Sequence, residues 1–181
     1  MQGTFPCIAT GLNDVGATVG NYTDSSGMNH GFVRARDGSI AIFDPPDSAG
    51  TYPSSINLEG AITGTYVGTT DGVDHGFLRA PDGRFTRFDA PGAGTGQFQG
   101  TIPSTINAFG VIVGYTLDAN LAWHGFVRVP DGRITTFAST AGGTGSSQGT
   151  NAFGINLTGE IIGVVIDSNG SSHGFLRTSG P

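Results

Sequence analysis

INLEGAITGTYVGTTDGVDHGFLRAPDGRFTRF, residues 56–88, decides how this chain folds, because its parts recur along the whole sequence. The opening Ile/Leu-Asn-x-x-Gly-x-x-x-Gly pattern stands also as LNDVGATVG from residue 12, INAFGVIVG from 106 and INLTGEIIG from 155. Each copy is followed by His-Gly-Phe-Leu/Val-Arg: HGFVR from 30, HGFLR from 75, HGFVR from 124 and HGFLR from 173. A Gly-Thr element precedes each copy, in QGTFP, AGTYP, QGTIP and QGTNA. The first three copies go on through Asp-Gly to a short run ending in Phe: SIAIF, RFTRF and RITTF. A repeat of this length signals a modular architecture, in which each unit buries its apolar face only by packing on a neighbour.

Within a unit, four short segments, A to D, are rich in β-branched and aromatic residues and separated by turn residues; no segment keeps a helical period. Four antiparallel strands per unit follow. The expected fold is therefore all-β and β-propeller-like, a single repeat domain over 1–181 with units at about 2–49, 50–99, 100–148 and 149–181. A β-solenoid or stacked-sandwich array is the competing architecture. The fourth unit reads as lacking strand D, an open edge where another strand could add.

The tandem Ile-Asn-x-x-Gly and His-Gly-Phe pattern resembles the bacterial extracellular HAF repeat family, named for a His-Ala-Phe motif; here Gly31, Gly76, Gly125 and Gly174 stand in place of the alanine. The resemblance covers essentially the whole chain. It implies a propeller-like domain of an exported bacterial protein, extracellular or at the cell surface, and no defined activity. The first residues, MQGTFPCIATG, lack the basic and apolar stretches of a secretory signal.

Fourteen carboxylates face eight arginines and no lysine, giving a net charge of −6, which repels phosphate backbones and anionic membranes. No apolar run is long enough for a membrane span. Nucleic acid and membrane are thus not expected partners. The one cysteine, Cys7, has no intrachain partner and is expected to be a small buried residue.

All four histidines lie in the repeated motif. A two-residue hairpin loop at Asp37-Gly38 would pair Arg36 with Ser39, Arg34 with Ala41, Phe32 with Phe43 and His30 with Asp44, and likewise Phe77 with Phe88 and Phe126 with Phe137. Across the B–C loop the same counting sets Asp24 against His30, Tyr22 against Phe32, and Arg34, Arg79, Arg128 and Arg177 against Gly20, Gly64, Gly114 and Gly163. His75 would keep Asp89, His124 would keep Asp118 and His173 would keep Asp167. Repetition argues that these His, Arg and Asp positions are structural, each His–Asp pair satisfying polar groups within a unit. Four imidazoles converging on one Zn, Cu or Ni ion is the sharper reading. It is set aside: no metal and no cofactor are expected. DSSG at 24–27 and DSNG at 167–170 lack the oxygen series of a calcium loop and read as turns. The sequons at Asn21, Asn156 and Asn169 carry no weight.

No serine or cysteine recurs as a nucleophile, so an enzyme is not expected. Departures from the repeat mark candidate binding residues: Trp123 beside His124, and Phe98, Gln97, Gln99 and Gln148 in long Gly-rich D–A connections. The expected function is a non-catalytic extracellular binding or scaffold module contacting carbohydrate or a surface protein. The alternatives are a self-assembling homo-oligomer or filament joined through the open fourth unit, and a lyase or hydrolase on a propeller rim.

Overall fold

The computed structural model of the chain describes residues 7–178, and these are all-β. Unit 1 comprises β1 (Cys7–Leu12), β2 (Thr18–Thr23), β3 (Asn29–Arg34) and β4 (Ile40–Phe43); unit 2 comprises β5 (Ser48–Ile56), β6 (Ile62–Gly68), β7 (Asp74–Arg79) and β8 (Phe85–Phe88). Unit 3 comprises β9 (Gly100–Ile106), β10 (Ile112–Leu117), β11 (Trp123–Arg128) and β12 (Ile134–Phe137); unit 4 comprises β13 (Gly149–Ile155), β14 (Ile161–Ile166) and β15 (Ser172–Arg177). Each unit is an antiparallel meander in chain order. Single parallel bridges, Asp74 to Gly100 and Trp123 to Gly149, link units 2, 3 and 4.

The register differs from the sequence expectation by one residue at the C–D turn. Ala35 N–H donates to Ser39 O and Gly38 N–H to Ala35 O, closing a three-residue loop in which Gly38, at φ 89°, has the positive φ and Asp37 does not. That is a type I turn with a G1 bulge, not the two-residue type I′ turn. Gly31 therefore opposes Phe43 and Phe32 opposes Ile42, so Phe32–Phe43, Phe77–Phe88 and Phe126–Phe137 are not cross-strand pairs. The phenyl rings of Phe43, Phe88 and Phe137 lie instead over Gly31, Gly76 and Gly125, where a Cβ would meet ring carbons at 2.6, 2.7 and 2.6 Å.

The B–C pairing also shifts. Tyr22 opposes His30, Gly20 opposes Phe32 and Thr18 opposes Arg34. The arginines thus face Thr18, Ile62, Ile112 and Ile161, and the second motif glycine makes room for a phenylalanine: a Cβ on Gly64, Gly114 or Gly163 would sit within 3 Å of Phe77, Phe126 or Phe175.

The units stack face to face. Val19, Val33 and Phe43 on the front of unit 1 pack on Ile56, Ile62, Phe77 and Phe85 on the back of unit 2. Leu78 and Phe88 of unit 2 pack on Ile106, Ile112, Phe126 and Ile134 of unit 3, and Val113, Val127 and Phe137 of unit 3 on Ala152, Ile155, Ile161 and Phe175 of unit 4. Each junction joins aromatic rings edge to face, as Phe43–Phe77 at 6.2 Å, Phe88–Phe126 at 6.1 Å and Phe137–Phe175 at 6.1 Å. Such a pair adds about 0.5–1.5 kcal/mol to simple burial. Over the same ring the next unit lays its arginine: Arg79 on Phe43, Arg128 on Phe88 and Arg177 on Phe137, at 5.0, 5.0 and 4.7 Å. Burial pushes the Arg128 guanidinium pKa down, while Asp131 opposes that.

A polar seam runs beside these apolar junctions. Asn13 Nδ2 donates to Asn57 O, Asn57 Nδ2 to Asn107 O, and Asn107 Nδ2 to Asn156 O, at 2.9, 3.2 and 3.1 Å. Each Oδ1 accepts the N–H four residues on, of Ala17, Ala61, Val111 or Glu160, and so shapes its own A–B turn. The first strands of successive units touch in sequence, β1 on β5, β5 on β9 and β9 on β13. Among the described residues, no strand of unit 1 makes an extensive contact with a strand of unit 4.

Cys7 is exposed, not buried. It occupies the position of Thr51, Thr101 and Thr150, each buried against the strand end of the preceding unit: Thr51 Oγ1 donates to Asp44, and Thr101 and Thr150 Oγ1 accept from Ala90 N–H and Ser139 N–H. Unit 1 has no described unit behind it. The Gly-Thr of QGTFP lies outside the described residues, and pairing equates Cys7, not Thr4, with Thr51.

Candidate functional site: the loop rim

The antiparallel meander sends every B–C loop and every D–A connection to one end of the stack, and the histidines gather there. In unit 1, Asp24 Oδ1 accepts the N–H groups of Ser26 and Met28, which fixes the loop, while Asp24 Oδ2 lies 3.3 Å from His30 Nε2. Asp44 Oδ2 lies 2.6 Å from His30 Nδ1. The row Asp24, His30, Asp44 is thus present: the observed C–D register sets His30 beside Asp44, the B–C register differs by two residues from the expected one, and through Thr51 the row extends into unit 2. Hydrogen bonding to Asp44 raises the His30 pKa above its ordinary value against the opposing pull of burial, with Asp24 adding to the rise. The Ser26 hydroxyl and the Met28 N–H, with His30, hold the Asp24 carboxyl well below the usual range.

His75 Nδ1 meets Asp89 at 2.7 Å, and its Nε2 meets Asp71 at 3.1 Å. Asp71 was not anticipated from sequence. The other B–C loops close in three residues from an Asp six before the histidine; here Gly68 N–H donates to Val73 O across one more residue, and the carboxylate arrives from four before. His124 Nε2 lies 3.0 Å from Asp118, and His173 Nε2 3.1 Å from Asp167. In those two units each aspartate also accepts two N–H groups of its own loop. Every imidazole is thus tied to the loop of its own unit. No group of three or more His, Cys, Asp or Glu side chains able to hold a metal occurs among the described residues.

The sequence-selected binding residues come together at the rim around units 2 to 4. Gln99 Oε1 accepts from Gly96 N–H and Gln99 Nε2 donates to Ala119 O; Gln148 Oε1 accepts from Gly145 N–H and Gln148 Nε2 donates to Ser168 O. Both amides therefore brace the connections and the B–C loop beside them. Trp123 N–H donates to Gln148 O, and its indole is half-buried against Tyr115, centroids 5.9 Å apart. Burial raises the Tyr115 phenol pKa.

Gln97 is exposed, and Phe98 is 70% exposed at φ 63°. A left-handed conformation costs a non-glycine residue about 1–3 kcal/mol and persists only where the surroundings enforce it. Gln99 N–H donating to Gly96 O, and the Gln99 amide, supply that constraint. Next to this loop is a cleft of about 210 Å³ lined by His75, Asp71, Asp89, Arg87, Thr95 and Gly100. Arg87 is fastened to Asp89 at 3.1 Å. Aromatic, amide, carboxylate and guanidinium groups are what the rim presents.

No protein-family model matches the chain, and no curated protein is significantly similar to it.

Proposed function

We propose that this chain is a non-catalytic extracellular binding and scaffold module of HAF type, its units being propeller-type blades, and that its rim binds carbohydrate. The propeller reading draws support from four meanders stacked face to face with their first strands adjacent. Four-stranded blades set radially about an axis have this relation. The non-catalytic reading rests on the imidazoles, whose nitrogens face the carboxylates that shape the loops.

One observation carries the ligand assignment: the strained, braced loop that holds the Phe98 ring out in solvent. The same braced left-handed turn carries Ser147 in the next connection, so the strain belongs to the loop, and what sets this copy apart is an exposed ring where the other has a hydroxyl. An aromatic face stacks on the C–H face of a sugar, and Gln97 and the Asp89–Arg87 pair beside it supply hydrogen bonds to hydroxyls. The net negative charge and low arginine count favour a neutral ligand over an anionic one.

A glycan array followed by calorimetry of the best hit tests this. Binding that falls at least about tenfold in Phe98→Ala, with the melting curve unchanged, supports the site. Signals at background across neutral glycans overturn the carbohydrate assignment and turn the search to surface proteins.

A further inference from the structure

We infer that a second copy of this chain docks head to tail, the back of its unit 1 on the front of unit 4, and that Glu160 weakens this junction. The inference uses neither Phe98 nor Trp123 and is independent of the rim ligand.

Three internal junctions define what a front and a back require. A front offers a buried strand-B residue, an aliphatic residue on strand C and the ring of the D-strand Phe; a back offers the aliphatic residues that bracket the A–B turn, a C-strand Phe and an Arg laid over that ring. Unit 4 has the front half uncovered. Ile162 is 55% exposed where Val19, Thr63 and Val113 are fully buried, and Leu176 is exposed where Val33, Leu78 and Val127 pack inside junctions. Unit 1 has the back half uncovered: Leu12 is 71% exposed where Ile56 and Ile106 are buried, and Ile40 is exposed where Phe85 and Ile134 are packed. Phe32 and Arg34 stand at the positions of Phe77 and Arg79; Arg34 is exposed, while Phe32 is already buried, so the open part of this face is Leu12, Ile40 and Arg34. Unit 4 has no described strand D, so its front keeps the strand-B and strand-C part of the repeated junction without the ring, and the aliphatic back of unit 1 on a second copy is the face that matches this part.

The asparagine seam points the same way. At every internal junction an Asn side chain donates forward to the Asn carbonyl of the next unit. Asn156 Nδ2, last in the series, instead turns back onto Glu160 Oε2. Glu160 occupies the place of Ala17, Ala61 and Val111. Docking a back face there would bury this carboxylate and require Asn156 to leave it for Asn13 O of the second copy. Burying a carboxylate where the internal junctions hold Ala17, Ala61 or Val111 opposes docking, so the native junction is weakened at this one residue. A front-to-back contact is heterologous, and its products are closed rings or open chains according to the rotation per copy.

The test is analytical ultracentrifugation of the full chain over a concentration series. Glu160→Ala is expected to tighten self-association by about tenfold or more over the unsubstituted chain. In that background Leu12→Asp blocks the back and Ile162→Asp blocks the front. Both sites are exposed, and unchanged thermal unfolding verifies that the fold is intact. Each doubly substituted chain alone should be monomeric, and an equimolar mixture should give a 1:1 dimer. Closed rings and open chains of the Glu160→Ala protein both fit. A Glu160→Ala protein that stays monomeric to its solubility limit overturns the inference; so does self-association of either aspartate chain alone, because a contact through a different or self-complementary surface would survive a single block.

Discussion

His75 and His173 stand at the same place in identical HGFLR motifs, yet His75 is 3% exposed and held by two carboxylates, while His173 is exposed and held by one. The glycine after each tells the same story: Phe88 covers Gly76, and nothing lies within 4 Å of a Cβ on Gly174. The difference begins inside the unit: Phe88 and Asp89 lie on and just after strand β8 of unit 2 itself, no fourth strand follows β15 among the described residues, and the packing of neighbouring units adds to it. Unit 2 is packed on both faces, whereas unit 4 is packed on its back alone. The repeated motif therefore encodes half of an interface, and its energy is realised only where the other half is present.

The comparison is broken most severely at the phenylalanines. Phe126→Ala, inside the junction of units 2 and 3, should lower unfolding stability by about 3–5 kcal/mol in denaturant titrations, and Phe175→Ala, half-buried in unit 4, by less than about half of that. Next come the asparagines. Asn57→Ala leaves the Asn107 carbonyl without its forward donor and the Ala61 N–H without its acceptor, at a cost of about 1–3 kcal/mol. Asn156→Ala acts at an exposed turn and should cost about 1 kcal/mol or less. Gly64→Ala, which would drive a Cβ into the Phe77 ring and the strand beside it, should cost about 1–3 kcal/mol; Gly174→Ala should stay within about 0.5 kcal/mol.

The pH dependence separates the partners of the rim histidines. The His30 pKa is raised on folding, so its contribution is fully present below the unfolded value near 6.5 and is lost as pH rises through the higher folded value. The carboxyls of Asp24 and Asp167 are lowered, so theirs is present above about 3.8 and is lost as pH falls through the lower folded values. Stability measured against pH should therefore decline on both sides, and His30→Gln should remove the His30 part of the alkaline decline and leave most of the acid one. The smallest effect needs no loss of stability: Cys7 should react with a thiol reagent in the native protein at the rate of an exposed thiol, whereas Cys7→Ser/Thr51→Cys should react only on unfolding.

Much of this architecture was legible in the residue pattern, and the errors have particular causes. Asp-Gly at 37–38 has the composition of a two-residue type I′ turn, but the chain spends one more residue and leaves Asp37 at negative φ. One residue reverses which face every side chain takes. The Phe–Phe cross-strand pairs were lost to that shift, and the Arg–Gly pairs to a separate two-residue difference in the B–C register. The His–Asp contacts stand in the observed register: His30 lies opposite Asp44 and His75 opposite Asp89, one step beyond the Gly31–Phe43 and Gly76–Phe88 pairs, while the B–C loop carries a second carboxylate to Nε2. Asp71 was hidden by a loop one residue longer than its counterparts. Cys7 was misplaced because burial at its position belongs to the unit behind. The candidate binding residues are departures from the repeat and lie on one rim; the residue pattern does not show that Gln99 and Gln148 are braces while Phe98 is exposed.

The amino-acid sequence by itself determined the number of units, the strands within each, the turn glycines and the recurring His, Asn and Arg positions, since these depend on local conformation and on a pattern repeated every 44 to 50 residues. Which of those residues is buried, which asparagine donates forward and which turns back, and which faces are left open were decided by the stacking of units. Stacking joins side chains about 50 residues apart, as Asn57 joins Asn107. A single repeat carries no record of whether its neighbour is there.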